Sequence, residues 1–283
     1  MAKFCDLHTH STYSDGTVTP TELIRLAKEA GLSAVALCDH NTVAGLPEFR
    51  KAGAESGITA VEGVEFSTDY RETELHILGL FIPAEHHAAV TGKLAQMLVR
   101  KEQSNRDLVT ALNGAGLELN YDAIKAGTPD GQVNRAVIAA EMVKKGYCES
   151  VKAAFSQWLS PRRGYYQPPK RLDVFETIRF IKSIGAVAVL AHPFLNLNET
   201  ELCMFLREAV PAGLDGMEVF YSTFSPEETA LAREIAARFG LLPSGGSDFH
   251  GRNKPDISLG SGKNNLCVPL SILEDLAAKQ ASM

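Results

Sequence analysis

The sequence predicts an α/β fold, a TIM-like (β/α) barrel with seven strands instead of the usual eight, carrying a small helical insertion. Three observations lead there. Short apolar or β-branched runs alternate with amphipathic helical stretches, the pattern of βα units. The helical stretches open on capping signals and close on glycine. The alternation breaks once, for about a hundred residues between the fourth and fifth candidate strands.

The candidate strands are Phe4–Leu7, Ala34–Cys38, Thr59–Val64, Leu75–Phe81, Ala186–Ala191, Gly213–Phe220 and Leu241–Ser244. Each is a short apolar run of the kind a sheet covered on both faces requires. Thr19-Pro20-Thr21-Glu22 combines an N-cap, a proline at the first helical position and a Glu three residues after the cap, so it opens a helix to Ala30, before Gly31. Ser225-Pro226-Glu227-Glu228 starts Pro226–Phe239 in the same way, ending at Gly240. The long interval, residues 86–165, reads as helical over Val90–Leu112, Tyr121–Ala126, Arg135–Lys145 and Ser150–Leu159, with Gly114, Gly116, Gly127, Pro129 and Gly131 marking turns. Residues 1–85 and 166–283 are therefore expected to form the barrel, with 86–165 as a subdomain covering its active-site face.

Composition sets the outer limits. The chain has 283 residues, 45% of them hydrophobic and 22% charged, enough for a substantial core and incompatible with intrinsic disorder. No apolar run approaches the roughly 20 residues that span a bilayer. The N-terminal Met1-Ala2-Lys3-Phe4-Cys5 shows no apolar leader, so a cytoplasmic location is expected. Five scattered cysteines, Cys5, Cys38, Cys148, Cys203 and Cys267, never spaced as CxxC, read as buried small hydrophobes. A net charge of −6 argues against binding long duplex nucleic acid, which needs a basic face. An anionic substrate needs a local source of positive charge.

Histidine carries the functional signal. Six of the eight histidines fall in or beside acidic clusters at predicted strand ends. His8-Thr9-His10 is followed by Asp15 in Ser14-Asp15-Gly16. Asp39-His40 ends the second strand, Glu65 follows the third and His76 lies on the fourth. Ala191-His192-Pro193 ends the fifth, and Gly246-Ser247-Asp248-Phe249-His250 ends the seventh. Strand C-termini of such a barrel open onto one face, where active sites form. Imidazole with carboxylate and no thiolate suits Mn²⁺, Fe²⁺ or Zn²⁺ in a catalytic site. His86-His87, in a polar stretch after Pro83, reads as a solvated loop.

In that order and combination, the motifs His8-Thr9-His10-Ser11, Ser14-Asp15-Gly16, Asp39-His40-Asn41, Glu65, His76, Ala191-His192-Pro193 and Gly246-Ser247-Asp248-Phe249-His250 resemble those of the PHP (polymerase and histidinol phosphatase) family of metal-dependent phosphoesterases. The resemblance covers nearly the whole chain and implies a distorted (β/α)₇ barrel with a trinuclear site. It places one ion, most readily Mn²⁺, on His8, His10, Glu65 and Asp248. A second shares Glu65 and takes His76 and His192, and a third is held by Asp15, His40 and His250. Asp39 would orient a ligand imidazole or a bound water, or take part directly. Three divalent ions would place about +6 against three ligand carboxylates, and a metal-bridging hydroxide would be the nucleophile. The proton for the leaving oxygen would come from a metal-bound water or from His192.

Within the insertion, Gln132-Val133-Asn134-Arg135 opens a helix, and the resemblance assigns Arg135, with Asn134 beside it, to a substrate phosphate. Trp158, Tyr165 and Tyr166, interleaved with Arg162 and Arg163 and followed by Lys170 and Arg171, either stack a base and hold a distal phosphate or simply anchor the insertion. The opening motif and the Arg-bearing insertion look most like the stand-alone PHP proteins that hydrolyse nucleoside 3′,5′-bisphosphates and trim short RNA from its 5′ end. A histidinol-phosphate phosphatase is the alternative on the same barrel, and a non-catalytic PHP binding module is the alternative outside enzymology. Loss of ligands would mark the module, and here all nine positions hold His, Asp or Glu.

Overall fold

The computed structural model describes residues 3–128, 133–263 and 265–283. The turn markers Pro129 and Gly131, and Gln132 of the phosphate motif, lie outside the described residues, as do Met1 and Ala2. The chain divides into two compact units, residues 1–92 with 172–283, and residues 93–171.

The first unit runs β1 (Phe4–Thr9), α1 (Pro20–Glu29), β2 (Ala34–Leu37), α2 (Leu46–Ser56), β3 (Thr59–Tyr70) and β4 (Thr73–Leu80). α3 (His87–Gly114), α4 (Tyr121–Ala126), α5 (Arg135–Lys144) and α6 (Val151–Ala154) follow. The chain continues through β5 (Leu172–Asp173), α7 (Val174–Ser183), β6 (Val187–Leu190), α8 (Glu199–Ala212), β7 (Gly216–Tyr221), α9 (Pro226–Arg238), β8 (Leu242–Gly246), β9 (Val268–Pro269) and α10 (Leu270–Ala281).

The sheet order is β8-β7-β6-β4-β3-β2-β1-β9. It nearly closes into a barrel through a bridge between Thr9 and Phe249, with His10 N–H donating to Phe249 O and Asp248 N–H to His8 O. β2 (AVAL) and β6 (VAVL) are buried throughout, as continuous apolar runs in a two-sided sheet require. One buried core cluster joins small side chains of the strands, among them Cys5, Ala34, Ala36 and Ala191, to Leu78, Leu80 and, from α10, Leu273 and Leu276. The two helix starts read from the sequence form complete capping boxes, Thr19 with Glu22 and Ser225 with Glu228. A third, Asn198 with Glu201, opens α8.

The barrel departs from a parallel β/α repeat at β4 and at β9, which pairs antiparallel with β1. β4 runs antiparallel to both neighbours, β3 and β6. β3 continues to Tyr70, six residues past its expected end at Val64, and turns straight into β4 through Arg71-Glu72, at φ 47° and 71°. Positive φ at both central residues is the signature of a type I′ hairpin, normally supplied by Asn or Gly. Two further pairings of two residues each, β5 on β3 and β9 on β1, also lay outside the expected strands.

The second unit has its own core, built on Leu108, Leu112, Ile138, Ala139, Met142 and Leu159. Asn120, Asn134 and Ser150 cap α4, α5 and α6. The helix expected over Ser150–Leu159 divides into α6 and a π-helical turn, Phe155–Leu159.

All five thiols are free. Cys5, Cys38 and Cys148 are buried as expected, but Cys203 is half-buried and Cys267 exposed. His87 also departs from expectation: it begins α3, is largely buried, and brings Nε2 to 3.1 Å from Glu62 Oε2. Among the described residues no helix is long and apolar enough to cross a membrane.

Candidate metal centre

β1 carries His8 near its end and His10 follows just beyond it, where the pairing of β1 with β2 slips register between Asp6 and Thr9. Asp6 is fully buried and accepts from the backbone N–H groups of Ser247, Gly260 and His8, tying the end of β1 to the loop after β8. Gly246 permits that approach, since a Cβ there would lie 2.4 Å from His8 N and Cβ.

Glu65, buried on β3, is the hub. Its Oε2 lies 3.2 Å from His8 Nε2, 3.3 Å from His10 Nε2 and 3.1 Å from His40 Nδ1. Its Oε1 lies 2.7 Å from His76 Nδ1 and 3.0 Å from His192 Nε2. His76 reaches the site from the first half of β4 because that strand is antiparallel, which brings its beginning level with the C-terminal ends of the others. Asp248 Oδ1 lies 3.2 Å from His10 Nε2 and 3.3 Å from His250 Nδ1. Asp15 Oδ1 lies 3.2 Å from His250 Nε2, and its Oδ2 is 3.9 Å from His40 Nε2. The structure thus brings together all nine residues expected as ligands.

Two of them hold unusual backbone. His192 at φ 30° and Asp248 at φ 57° occupy the left-handed region, a strain that clusters at functional sites. Asn41, at φ 52°, donates to Ser67 Oγ and accepts from Ser67 N–H, which locks the His40 loop against β3.

Burial opposes charge throughout this cluster, yet the carboxylates overcome it at some histidines. Glu65, Glu218 and Asp248 hold the His8 pKa well above the usual value, and Glu65 raises His76 to about 9. Burial wins at His40, lowered to about 4. Asp15, despite partial burial, falls to about 2 beside His250 and His40.

Ligation chemistry is what the leftover atoms call for. His8 Nε2, both nitrogens of His10 and Glu65 Oε2 are buried without a hydrogen-bond partner, an arrangement that costs on the order of 1–3 kcal/mol per group unless something else binds them. Three groups have donor atoms close enough to share an ion: His10, Asp15, His40 and His250; His8, His10 and Glu65; and His40, Glu65 and His76. These residues fit divalent metal.

Comparison with known proteins agrees. The PHP domain family model matches residues 6–166. This chain belongs to the PHP family. A 5′-3′ exoribonuclease of Haemophilus influenzae is 34% identical over 251 residues, covering 88% of this chain and 91% of its own. A 3′,5′-nucleoside bisphosphate phosphatase of Chromobacterium violaceum is 30% identical over 269 residues, 94% of each chain. Among solved structures, a candidate metal-dependent phosphoesterase of Bifidobacterium adolescentis superposes with a TM-score of 0.74 at 28% identity, covering 99% of this chain and 97% of its own. As a PHP protein this chain is a hydrolase of phosphoester bonds.

Residues that the sequence reading passed over complete the PHP site. Glu218, fully buried on β7, accepts from His8 Nδ1 at 3.0 Å and from His192 N–H at 2.6 Å, fixing which imidazole nitrogen of His8 faces the centre. Tyr221 Oη donates to Asp248 Oδ2 at 2.7 Å, and Lys254 Nζ to the same oxygen at 2.6 Å, which leaves Oδ1 for the centre. A carboxylate inside the otherwise apolar run Gly216–Tyr221 was the signal available for Glu218; Lys254, in a polar loop, carried none.

Asp39 has a different set of contacts from the one its place beside His40 suggested. It accepts from Ser11 N–H at 2.7 Å, Ser11 Oγ at 2.6 Å and Ser14 Oγ at 2.6 Å. These are donors of the loop that carries Asp15, so Asp39 positions a ligand loop and not an imidazole.

In the second unit, the Arg135 guanidinium stacks on Tyr166 at 4.3 Å and Phe155 at 5.5 Å, with Nη1 donating to Leu159 O at 3.4 Å. Asn134 Oδ1 is spent on capping α5, accepting from Ala136 N–H and Val137 N–H. The backbone carbonyls of Lys170 and Arg171 accept from Arg100 Nη1, while the Lys170 side chain is exposed. Trp158 and Tyr165 lie 5.3 Å apart and pack on the core of their own unit, and Tyr166 is buried in it, which favours anchoring over base stacking.

Proposed function

We propose that the protein removes the 3′-phosphate of nucleoside 3′,5′-bisphosphates and cleaves the equivalent diester at the 5′ end of short 5′-phosphorylated RNA. The observation that carries the reading is Glu65, whose two oxygens face imidazoles from separate strands, an arrangement suited to bridging ions. Three divalent ions, Mn²⁺ first among them, would supply a water deprotonated near neutral pH and positive charge for the phosphoryl oxygens.

The chain's own residues provide the rest. Glu218 and Tyr221 hold ligands in orientation. Arg135, its guanidinium planar and pinned between rings, is suited to a second phosphate, with Asn134 Nδ2, Lys170 and Arg171 as further donors. His192, touching Glu65, is reserved for ligation, which leaves the leaving oxygen's proton to water. Five free thiols suit a reducing, cytoplasmic compartment.

The test is phosphate release by Mn²⁺-loaded protein from adenosine 3′,5′-bisphosphate, with 5′-AMP and histidinol phosphate alongside. Fast conversion of the bisphosphate to 5′-AMP is expected. Preference for histidinol phosphate would discard the nucleotide reading and keep the metal site.

A further inference from the structure

A cavity of about 390 Å³ in the first unit shares Tyr221 and Asp248 with the metal centre, so it opens directly beside the ligands. Its size is within the range of pockets that take small ligands. Two ammonium groups line it, Lys254 and the exposed Lys263. The carboxylates on its wall are Asp248, already turned to the metal centre, and the exposed Asp256. Lys254 lines the cavity while its Nζ donates to Asp248 Oδ2 at 2.6 Å. Half-exposed Leu195 and buried Ile257 give the cavity an apolar side against which a sugar or base can lie.

A phosphodiester continues in two directions. Hydrolysis of a 5′-phosphorylated oligonucleotide places the hydroxyl of water on phosphorus and breaks the P–O3′ bond. The 3′ oxygen takes the remaining proton, and the shortened chain keeps a 5′-phosphate. One side of the reacting phosphorus is the 5′ nucleotide, whose terminal phosphate is the anion assigned above to Arg135. The other side is the rest of the chain, which has a further phosphate one nucleotide on and is absent from a bisphosphate. A lysine ammonium, a compact charge with three rotatable donors, suits such a phosphate without demanding one orientation.

We propose that this cavity is the subsite for the nucleotide chain continuing beyond the scissile phosphodiester, with Lys263 and Lys254 meeting its next phosphate. The proposal rests on the phosphoesterase reading above, in its RNA form. Lys263, for which no bond to a ligand residue is found among the described residues, is the position that tests it.

The experiment compares KM for 5′-phosphorylated adenylate trinucleotide with KM for adenosine 3′,5′-bisphosphate, using Mn²⁺-loaded protein. Lys263→Gln is expected to raise the ratio of the two about tenfold, the scale of one charge-assisted hydrogen bond. Lys263→Arg should restore most of it, and Asp256→Asn should move the ratio the opposite way. An unchanged ratio, equal effects on both substrates, or a larger effect on the bisphosphate would overturn the subsite. Equilibrium binding of a fluorescent 5′-phosphorylated trinucleotide separates the two levels. Wild-type protein that cleaves the bisphosphate but does not bind the trinucleotide sinks the subsite alone. Binding sensitive to Lys263, without turnover of either substrate, sinks the functional reading alone.

Discussion

Glu218 accepts a hydrogen bond from His8 at 3.0 Å while both side chains are completely buried, so the orientation of a metal-facing imidazole depends on a carboxylate of another strand. Removing such a partner typically costs 10- to 100-fold in metal affinity or activity. Glu218→Gln keeps the volume and loses the charge. Chelator competition should show Mn²⁺ bound at least ~10-fold more weakly; wild-type affinity would show that His8 needs no help.

Gly246→Ala should damage the fold and the site together. The added methyl would sit 2.4 Å from His8 N and Cβ, backbone-linked atoms that cannot swing aside. Overpacking of this kind costs about 1–3 kcal/mol, read from urea unfolding. Gly92→Ala, in helix α3 with nothing within 4 Å of its would-be Cβ, is the control and should be neutral or stabilising. Equal effects at the two glycines would mean that β8 can retreat from β1.

The metal residues were legible because His and Asp are out of place at strand ends: His8, His40 and His192 close short apolar runs, and Asp248 follows Gly245-Gly246-Ser247 after β8. The direction of β4 was not legible. Its turn, Arg71-Glu72, adopts positive φ with two residues that ordinarily avoid it, so the usual Asn-Gly signal is missing. His76 therefore reached the site by a route that the parallel-barrel argument did not provide. Glu218 was overlooked for another reason: one carboxylate in a strand reads as an outward position, although β7 is buried along nearly its whole length. Lys254 is close to Asp248 through loop geometry that no local pattern encodes.

Stripping divalent ions should abolish turnover and lower thermal stability, because the orphaned nitrogens of His8 and His10 and the oxygen of Glu65 lose their ligand. Binding to the folded state alone stabilises by about 2.7 kcal/mol at 100 times Kd. Melting temperature should climb with added Mn²⁺ in the wild type. In His10→Ala and Asp248→Ala the rise should shrink and turnover should vanish. Near-wild-type activity in either variant would contradict the assigned ligands.

Arg135 separates recognition from chemistry. Its guanidinium is held by Tyr166, Phe155 and Leu159 O, so it is ordered before any ligand arrives. An ordered Arg loses little freedom on binding, and the expected gain falls on affinity. Arg135→Ala should raise KM for adenosine 3′,5′-bisphosphate by about tenfold or more, the scale of a charge-assisted contact, and leave kcat within a small factor. Arg135→Lys should recover little, because an ammonium reproduces neither the stack on Tyr166 nor the planar fork. An equal KM rise for adenosine 3′-monophosphate would mean that the residue acts on the fold of its own unit and not on a second phosphate.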